Sequence, residues 1–452
     1  MVRLITWPRT GVSVSLPRTS GLHVLRNAKA REDDVESVVQ EVRVRAIMKD
    51  VKMRTLRNAQ RWGDEMRRTG IYITVSSYTG FWSYGHFEMN WFGIPEKHMR
   101  VAHAALTMRS PPEKRADVLS MVPITQPSGK YTTSVPAPTF NVSTLMKGKC
   151  LGYWAFVLEP WVPWSPVILY SSCFTPKPRW MRQNCCMLLT LNLLDLLIPG
   201  THNSGMYQQG YAHPHEEYLY NQDQTVAQQL AYGIRSLDLR VQYSSGVFYV
   251  THDRIRGWPT IEQVLLEVRE FVQATGELVL LDFHRFTKGF DKESDNVTAR
   301  RMELVKLIFT KLGDVALDNY AYFMKLIDLL DRCRNQTKPS GHVIVFYNYA
   351  GYTGKYQRFL SPGVHHKWPN AQSESALMQY LEKHACVHRS SSNPISIMAE
   401  LTPSFPSLAI GNRRAAELIN HQVTEYFRRA GPKCHGIIAT DYFLGNGMIE
   451  EI

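Results

Sequence analysis

From about residue 179 onward, apolar runs of strand length alternate with longer segments of helical period. Residues 260–276 place five apolar side chains at helical spacing. Strands are predicted for "DLLIPG", "IRSLDLRV", "VFYVTHD", "ELVLLDFHRF", "HVIVFYNY", "ISIMAELTPS" and "GIIATDYF". Because apolar strands that alternate with helices are typical of a parallel sheet covered on both faces, this order predicts an α/β fold. Seven or so strands favour a TIM-type (β/α) barrel, which we assign to residues 179–452.

The sequence before residue 179 has a different character. "IYITVSSY" alternates apolar and polar residues, "FWSYGHFEMNWFGI" is rich in aromatic residues, and residues 111–140 are rich in Pro, Gly and Ser. This pattern predicts a small β-sandwich domain over residues 71–178. Residues 1–70 contain 15 Lys and Arg against 8 Asp and Glu, and we predict a basic extension that is partly helical or disordered.

The charge of the chain points to an anionic partner. The net charge is +12 over 452 residues, and a basic surface attracts anions. From charge alone, this partner could be nucleic acid or acidic lipid headgroups. No run of about 18 apolar residues is present, so we expect no transmembrane segment.

Cysteine spacing and glycosylation triplets bear on the compartment. The seven cysteines show no C-x-x-C or Cys/His finger spacing, which predicts that no zinc is bound. N-x-S/T triplets at Asn141, Asn296 and Asn335 favour a secretory route. Residues 1–21 lack the apolar core of a signal peptide, which argues the other way and leaves the compartment open.

Polar residues follow each apolar run from residue 195 onward. An apolar strand does not need charged residues at its end for stability, and the carboxyl ends of barrel strands meet on one rim. We therefore expect these side chains to converge on a functional site. The set comprises His202, Asn203, Asp238, Arg240, His252, Asp253, Asp282, His284, Arg285, Tyr347, Asn348, Tyr349, Glu400, Asp441 and Tyr442.

Five of these segments carry a resemblance to a known family. "LLIPGTHNSGMY", "YNQDQTVAQQLAYGIRSLDLRV", "FYVTHD", "ELVLLDFHRF" and "IMAELTPS" resemble the X-domain motifs of phosphatidylinositol-specific phospholipase C. The resemblance covers about residues 179–450 and is greatest to the small eukaryotic X domain-containing group. Residues 71–178 are similar to the upstream region of insect-type members. The resemblance implies a phosphoric diester hydrolase of lipid metabolism and signalling, which cleaves an inositol phospholipid to diacylglycerol and inositol phosphate. It also implies a phospholipid substrate at a membrane surface, peripheral membrane association and no nucleic acid.

The resemblance also implies a role for each matched position. In the family, the inositol 2-hydroxyl attacks phosphorus, which requires a base, an acid and positive charge on the phosphoryl oxygens. His202 matches the general base and His252 the general acid. Arg240 matches an arginine placed against the phosphate, where its planar fork suits two oxygens. Asp441 is expected to orient His202, and Asp238 to hold Arg240 or the His252 side.

Substrate contacts are predicted for five further positions, namely Asn203, His284, Arg285, Tyr347 and Tyr442. His284 and Arg285 lie where the family often has basic residues, and the tyrosines suit stacking on an inositol ring. The alternatives, a surface pair for the first two and core aromatics for the tyrosines, stay open.

Arg240 also predicts that the reaction needs no metal. The large calcium-dependent enzymes of the family have an acid where this chain has Arg240, and a guanidinium there would repel a cation. Ca²⁺ stays the alternative because Asn203 matches the asparagine of those enzymes.

Two other functions stay open. One is a catalytically weak module that binds a lipid headgroup or a protein. The other is a metal-dependent glycerophosphodiesterase-like enzyme, against which Arg240 argues.

Overall fold

The computed structural model describes residues 69–80, 85–160, 165–188, 190–208, 216–291, 295–330, 341–349, 351, 353–386, 393–402, 411–431 and 434–450. The described residues belong to one compact unit. The extension predicted for residues 1–70 lies almost entirely outside them, and so does the triplet at Asn335.

Among the described residues before residue 179, seven strands form two antiparallel sheets, in the orders β1-β2-β5 and β4-β3-β6-β7. Their bounds are β1 (Gly70–Val75), β2 (His86–Phe92), β3 (His103–Thr107), β4 (Val118–Pro123), β5 (Gly129–Pro136), β6 (Trp154–Glu159) and β7 (Val167–Cys173). Buried side chains of these sheets, such as Phe87 and Val157, share one core with Val226, Leu230 and Phe443 from later in the chain. The predicted sandwich domain and its boundaries at residues 71 and 178 stay predictions.

The later strands form a curled, mainly parallel sheet. Their bounds are β8 (Leu197–Thr201), β9 (Ser236–Ser244), β10 (Val247–His252), β11 (Ile255–Thr260), β12 (Leu278–Phe286), β13 (His342–Tyr347), β14 (Leu360–Pro362), β15 (His365–Lys367), β16 (Ile395–Met398) and β17 (Gly436–Thr440). The parallel order is β14-β13-β12-β9-β8-β17-β16-β15. The first and last of these strands are separated in the chain by Gly363 and Val364 alone, so the sheet curls back on itself. Its two edge strands do not pair within the part of the chain that the structure describes.

One predicted strand runs in the opposite direction from our expectation. "VFYVTHD" forms β10, which is antiparallel to β9 and continues into β11 as a hairpin. Ser245 and Gly246 connect β9 to β10, and both have positive φ, 49° and 82°. Positive φ at both central residues is typical of the two-residue turns that join antiparallel strands. His252 therefore reaches the site from a hairpin and not from the end of a parallel strand.

Helices cover the outer face of the sheet. In α7 (Ile261–Thr275), Thr260 accepts a hydrogen bond from the Gln263 amide at the start, and Gly276, with φ 70°, ends the helix. The residues at helical spacing in α7 are buried, as the sequence predicts. The helices are α1 (Glu96–Met99), α2 (Val142–Leu145), α3 (Trp180–Gln183), α4 (Cys185–Leu188), α5 (Glu216–Leu219), α6 (Val226–Tyr232), α7 (Ile261–Thr275), α8 (Asp295–Leu312), α9 (Leu326–Leu329), α10 (Glu374–His384) and α11 (Gly411–Ala430). No described helix has the length and apolar content needed to cross a membrane.

The two-residue period of the strands separates an interior face from an outer face. On β13, Ile344 and Phe346 pack with Leu280 of β12 in the interior of the curled sheet. Val345 and Tyr347 belong instead to the core beneath the outer helices. Toward the carboxyl ends of the strands, the interior face changes from apolar to polar, and this change creates the site.

A buried ion pair holds the opposite end of the sheet. Arg235 and Glu277 are both fully buried, and Arg235 Nη2 lies 2.7 Å from Glu277 Oε2. Glu277 also accepts hydrogen bonds from the backbone amides of Met181 and Arg182. The pair therefore fixes the starts of β9 and β12, whose other ends carry site residues.

Two disulfides have both of their cysteines within the described residues. One joins Cys150 to Cys173, and the other joins Cys386 to Cys434. Cys185 is disulfide-bonded as well, whereas Cys186 is an exposed free thiol.

Candidate active site

His202 lies at the centre of the polar layer, directly after β8. A Cβ atom at Gly200 would approach Ile437 Cγ2 to 2.8 Å, and one at Gly205 would approach Val250 Cγ1 to 2.5 Å. The two glycines that flank His202 therefore let β8 and its following turn pack closely against β17 and β10. This packing places the imidazole beside the ends of the neighbouring strands.

Both ring nitrogens of His202 have charged neighbours. Nδ1 lies 2.8 Å from Asp441 Oδ1 and also contacts Glu400 Oε2. Nε2 lies 2.6 Å from Arg240 Nη2. A guanidinium can only donate hydrogen bonds, so Nε2 must accept and carries no proton. The proton of a neutral imidazole then lies on Nδ1, where it is donated to the carboxylates.

The surrounding charges act in opposite directions on His202. Burial disfavours the charged ring, but Glu400 and Asp441 outweigh this effect and raise the pKa of His202 to about 10. The Arg240 guanidinium acts against the carboxylates and lowers the pKa, and its contact with Nε2 is a hydrogen bond only when the ring is neutral. His202 is thus a strongly basic imidazole that faces the Arg240 guanidinium through Nε2.

Asp238 is the anchor of Arg240. Its Oδ2 accepts a hydrogen bond from Arg240 Nη2 at 3.1 Å and another from the Asn203 backbone amide at 3.0 Å. Burial favours a protonated Asp238, but the positive charges of Arg240 and nearby histidines keep its pKa well below the usual range. Asp238 is therefore ionised, and it fixes the guanidinium beside His202.

His252 enters from the hairpin with a defined tautomer. Its Nδ1 lies 3.0 Å from the Leu219 carbonyl oxygen, which can only accept, so Nδ1 carries a proton. Nε2 is then the atom at which His252 exchanges a proton. Burial, followed by the charges of His202 and Arg240, lowers the pKa of His252.

A second group of polar residues lies next to Asp238 on the same interior face. His366 Nε2 is 2.5 Å from Asp282 Oδ2, and the His366 ring stacks on His284 with 3.6 Å between ring centroids. Burial opposes charge on both rings, but Asp282 raises the pKa of His366. Among the residues that the structure describes, no carboxylate forms a hydrogen bond with His284, and burial lowers its pKa to about 4. His284 is therefore part of a buried cluster and not of a surface pair.

Trp368 covers the two central residues. Its ring centroid lies 5.5 Å from that of His202, edge to face, and the Arg240 guanidinium carbon lies 5.5 Å from the Trp368 ring. The rings of His284 and His366 lie 6.4 Å from it. In this arrangement His202 is 5 % exposed and Arg240 4 %, so a substrate needs Trp368 or a neighbouring segment to move.

Arg285, Tyr347 and Tyr442, predicted to bind substrate, lie outside this layer. Arg285 is exposed and contacts Asp253 Oδ1 at 3.2 Å, so it is a surface residue beside His252. Tyr347 has the wrong position in the two-residue period and packs in the core beneath the outer helices. Tyr442, one residue after Asp441, is buried and donates to the Tyr220 carbonyl. Both tyrosine rings are enclosed by protein in this structure, and their stacking on a substrate ring stays a prediction.

Asn203 bears on the calcium alternative. Its side chain donates to Asn221 Oδ1 at 3.0 Å, and its backbone has a positive φ of 49°. The neighbouring carboxylate, Asp238, is already paired with Arg240. A cation bound to Asp238 would face the Arg240 guanidinium, so these residues do not fit Ca²⁺. Among the described residues, two other groups have ligand atoms within 4.8 Å of one another: Asp282, His284 and His366, and His202, Glu400 and Asp441.

Three residues near His202 received no role from the sequence. Glu400 was recognised only as a polar residue at a strand end, and His366 and Trp368 were not identified. The position of Glu400 two residues after Met398 on β16 is a signal that was available, because it places Glu400 on the same face as His202 and Asp441. The pairings of His366 and Trp368 depend on the curl of the sheet, for which the sequence has no local signal.

Comparison with solved structures finds similarity to phosphatidylinositol-specific phospholipase C from two bacteria. A mutant of the Staphylococcus aureus protein aligns with a TM-score of 0.47 at 12 % identity, covering 61 % of this chain and 97 % of that chain. A second mutant of the same protein aligns with a TM-score of 0.46 at 14 % identity, covering 61 % and 96 %. The Listeria monocytogenes protein aligns with a TM-score of 0.42 at 15 % identity, covering 61 % and 99 %. No family model and no curated protein matches the chain.

Proposed function

We propose that this protein is a phosphoric diester hydrolase of the phosphatidylinositol-specific phospholipase C type. It acts on an inositol phospholipid at a membrane surface and needs no metal. The observation that carries the proposal is the setting of His202, which has carboxylates at Nδ1 and the Arg240 guanidinium at Nε2. A base with this tautomer, next to a cation suited to phosphoryl oxygens, is what attack of a hydroxyl on a phosphodiester requires.

The proposed reaction has two proton transfers. His202 Nε2 takes the proton of the inositol 2-hydroxyl while that oxygen bonds to phosphorus. The bond between phosphorus and the diacylglycerol oxygen breaks, and His252 Nε2 donates a proton to the leaving oxygen. The products are diacylglycerol and a cyclic inositol phosphate, which water then opens with the two histidines in exchanged roles.

Arg240 links substrate binding to the strength of the base. In the free site its Nη2 lies 2.6 Å from His202 Nε2 and blocks the electron pair that must accept the proton. A phosphodiester anion offers the guanidinium a stronger partner than a neutral imidazole. When Arg240 turns to the phosphate, it frees Nε2 to accept the proton of the attacking hydroxyl.

Two carboxylates position His202, and we assign Glu400 to this role beside Asp441. Both reach the same nitrogen from different strands, β16 and β17, and both are buried. Because a single Nδ1 proton serves them, removal of one leaves the ring oriented but less basic. Glu400→Gln should therefore shift the acidic limb of the pH profile of kcat/KM to lower pH. An unchanged limb, measured against Glu113→Gln at an exposed ion pair, would refute the assignment.

Turnover of phosphatidylinositol vesicles tests the function. The purified full chain should release diacylglycerol, and His202→Ala should lower the rate by about 10²–10⁴-fold. His103→Ala is a matched control because His103 lies on β3, among the N-terminal sheets. Equal background release from the wild type and His202→Ala would instead favour a module that only binds lipid or protein.

The same assay separates metal-independent from metal-dependent hydrolysis. Chelator should leave turnover unchanged, because Arg240 supplies the positive charge. Turnover that disappears in chelator and returns with a divalent cation would favour the glycerophosphodiesterase-like alternative.

Binding to anionic vesicles should weaken with added salt, because the net charge of +12 favours an electrostatic contribution.

A further inference from the structure

The disulfides of this chain indicate where it folds. Cys150 is bonded to Cys173 and Cys386 to Cys434, and Cys185 is disulfide-bonded too. Such bonds form and persist in oxidising compartments and are rare where thiols are kept reduced. Proteins that fold in the secretory pathway also meet the enzyme that glycosylates N-x-S/T triplets.

Asn141 is exposed, and the two polar atoms of its side chain, Oδ1 and Nδ2, can serve different roles. Its Oδ1 accepts hydrogen bonds from the Thr144 amide at 2.8 Å and from Ser143 Oγ at 2.9 Å, which caps the start of α2. These bonds occupy the oxygen of the side-chain amide, whereas a glycan is attached to the nitrogen. Glycosylation at Asn141 Nδ2 is therefore compatible with the native cap.

Asn296 meets the same requirement at another place on the surface. It lies in the first turn of α8, and both Asn296 and Thr298 are exposed. The neighbouring Val297 is buried, so the helix packs through Val297 while the triplet's polar side chains face solvent. A glycan at Asn296 thus projects from the fold without displacing packed atoms.

We propose that Asn141 and Asn296 are N-glycosylated and that the protein matures in the secretory pathway. In the transfer, the side-chain nitrogen bonds to the anomeric carbon of an oligosaccharide carried on a lipid diphosphate. The bond from that carbon to the diphosphate oxygen breaks, and the lipid diphosphate leaves while the amide nitrogen loses one proton. This inference is independent of the proposed hydrolysis.

Expression of the full chain in insect cells, followed by peptide mapping, tests the proposal. Treatment with an amidase that removes N-glycans should convert Asn141 and Asn296 to aspartate, which mass spectrometry resolves at each position. Asn141→Gln and Asn296→Gln should each remove one glycan from the intact mass. Asn370→Gln, at an exposed asparagine outside any triplet, should leave the glycan mass unchanged.

The cysteine state is read from the same sample. Intact bonds Cys150–Cys173 and Cys386–Cys434 together with unmodified asparagines would overturn the proposal. Reduced cysteines would overturn it as well, because the premise of an oxidising compartment fails. A glycan at only one of the two sites overturns the assignment of the other.

Discussion

Loss of the buried guanidinium at Arg235 should destabilise the fold severely. Arg235 donates to Glu277 through Nε at 2.9 Å and Nη2 at 2.7 Å, and to the carbonyls of Leu230, Ile234 and Pro178 at 2.8–3.0 Å. Arg235→Met removes all these bonds. It leaves an ionised Glu277 in a fully buried position, together with carbonyl groups that have lost their donor.

The expected loss in the free energy of unfolding follows from the unpaired charge of the buried Glu277. Removal of one partner from a buried ion pair costs about 3–5 kcal/mol, and a buried carbonyl without a donor adds about 1–3 kcal/mol. Because such costs are not additive for neighbouring groups, we expect Arg235→Met to lower the free energy of unfolding by about 4–6 kcal/mol. Glu277→Gln in the Arg235→Met background should restore part of the loss. Glutamine carries no charge, and its single oxygen still accepts from one of the two amides, Met181 or Arg182.

Urea unfolding followed by circular dichroism measures these changes under non-reducing conditions. Arg109→Met is the matched control, because its ion pair with Glu113 at 3.1 Å is exposed and should contribute less than about 1 kcal/mol. Two results would refute the reasoning. One is an Arg235→Met cost as small as that of the control, and the other is a Glu277→Gln change that adds to the loss.

Three further variants test other features. Asp441→Asn should lower kcat by about 10²-fold with a smaller change in KM, since it removes a carboxylate 2.8 Å from Nδ1 that raises the pKa of the base; equal kcat would contradict this. Burial raises the pKa of Glu88 to about 7 from 4.5, so stability from its bound proton is full below about pH 4.5 and is lost as pH rises through about 7. Glu88→Gln should remove that loss in unfolding measured from about pH 4 to about pH 8, and a pH dependence equal to the wild type's would contradict it. Cys386→Ser should cost about 2–5 kcal/mol by opening the loop to Cys434, and an unchanged urea midpoint would contradict this.

Most of the parallel sheet could be predicted because each strand carries its own apolar run. The direction of β10 was missed because a tight turn at Ser245 and Gly246 reverses the chain, and such a turn is easily overlooked between two apolar runs. The packing of Tyr347 in the core beneath the outer helices has a related cause. This residue stands at a strand end, but only alternate residues face the interior, and Phe346 occupies that face. The position of a residue along a strand does not by itself determine which face of the sheet its side chain takes, because the faces alternate every residue.

Contacts across the curled sheet could not be predicted from the sequence, for a different reason. His366 reaches Asp282 and stacks on His284 because short strands at the two edges of the sheet come together. Nothing in the local sequence "VHHKW" fixes that approach, since it depends on how far the whole sheet curls. The contact between Trp368 and Arg240 could not be predicted for the same reason. Trp368 follows β15 and Arg240 lies on β9, so the contact forms only when the curled sheet brings these two strands together.

The charges of the site also indicate why its substrate must be an anion in the proposed reaction. Without substrate, burial, His202 and Arg240 lower the pKa of His252, so the acid lacks its proton and the base is blocked by Arg240. In the proposed reaction, a phosphodiester anion would attract the guanidinium away from His202 and favour a protonated His252. Both changes are those that the proposed reaction needs. A neutral molecule of similar shape would leave both histidines in their inactive forms, so selectivity follows from charge before it follows from shape.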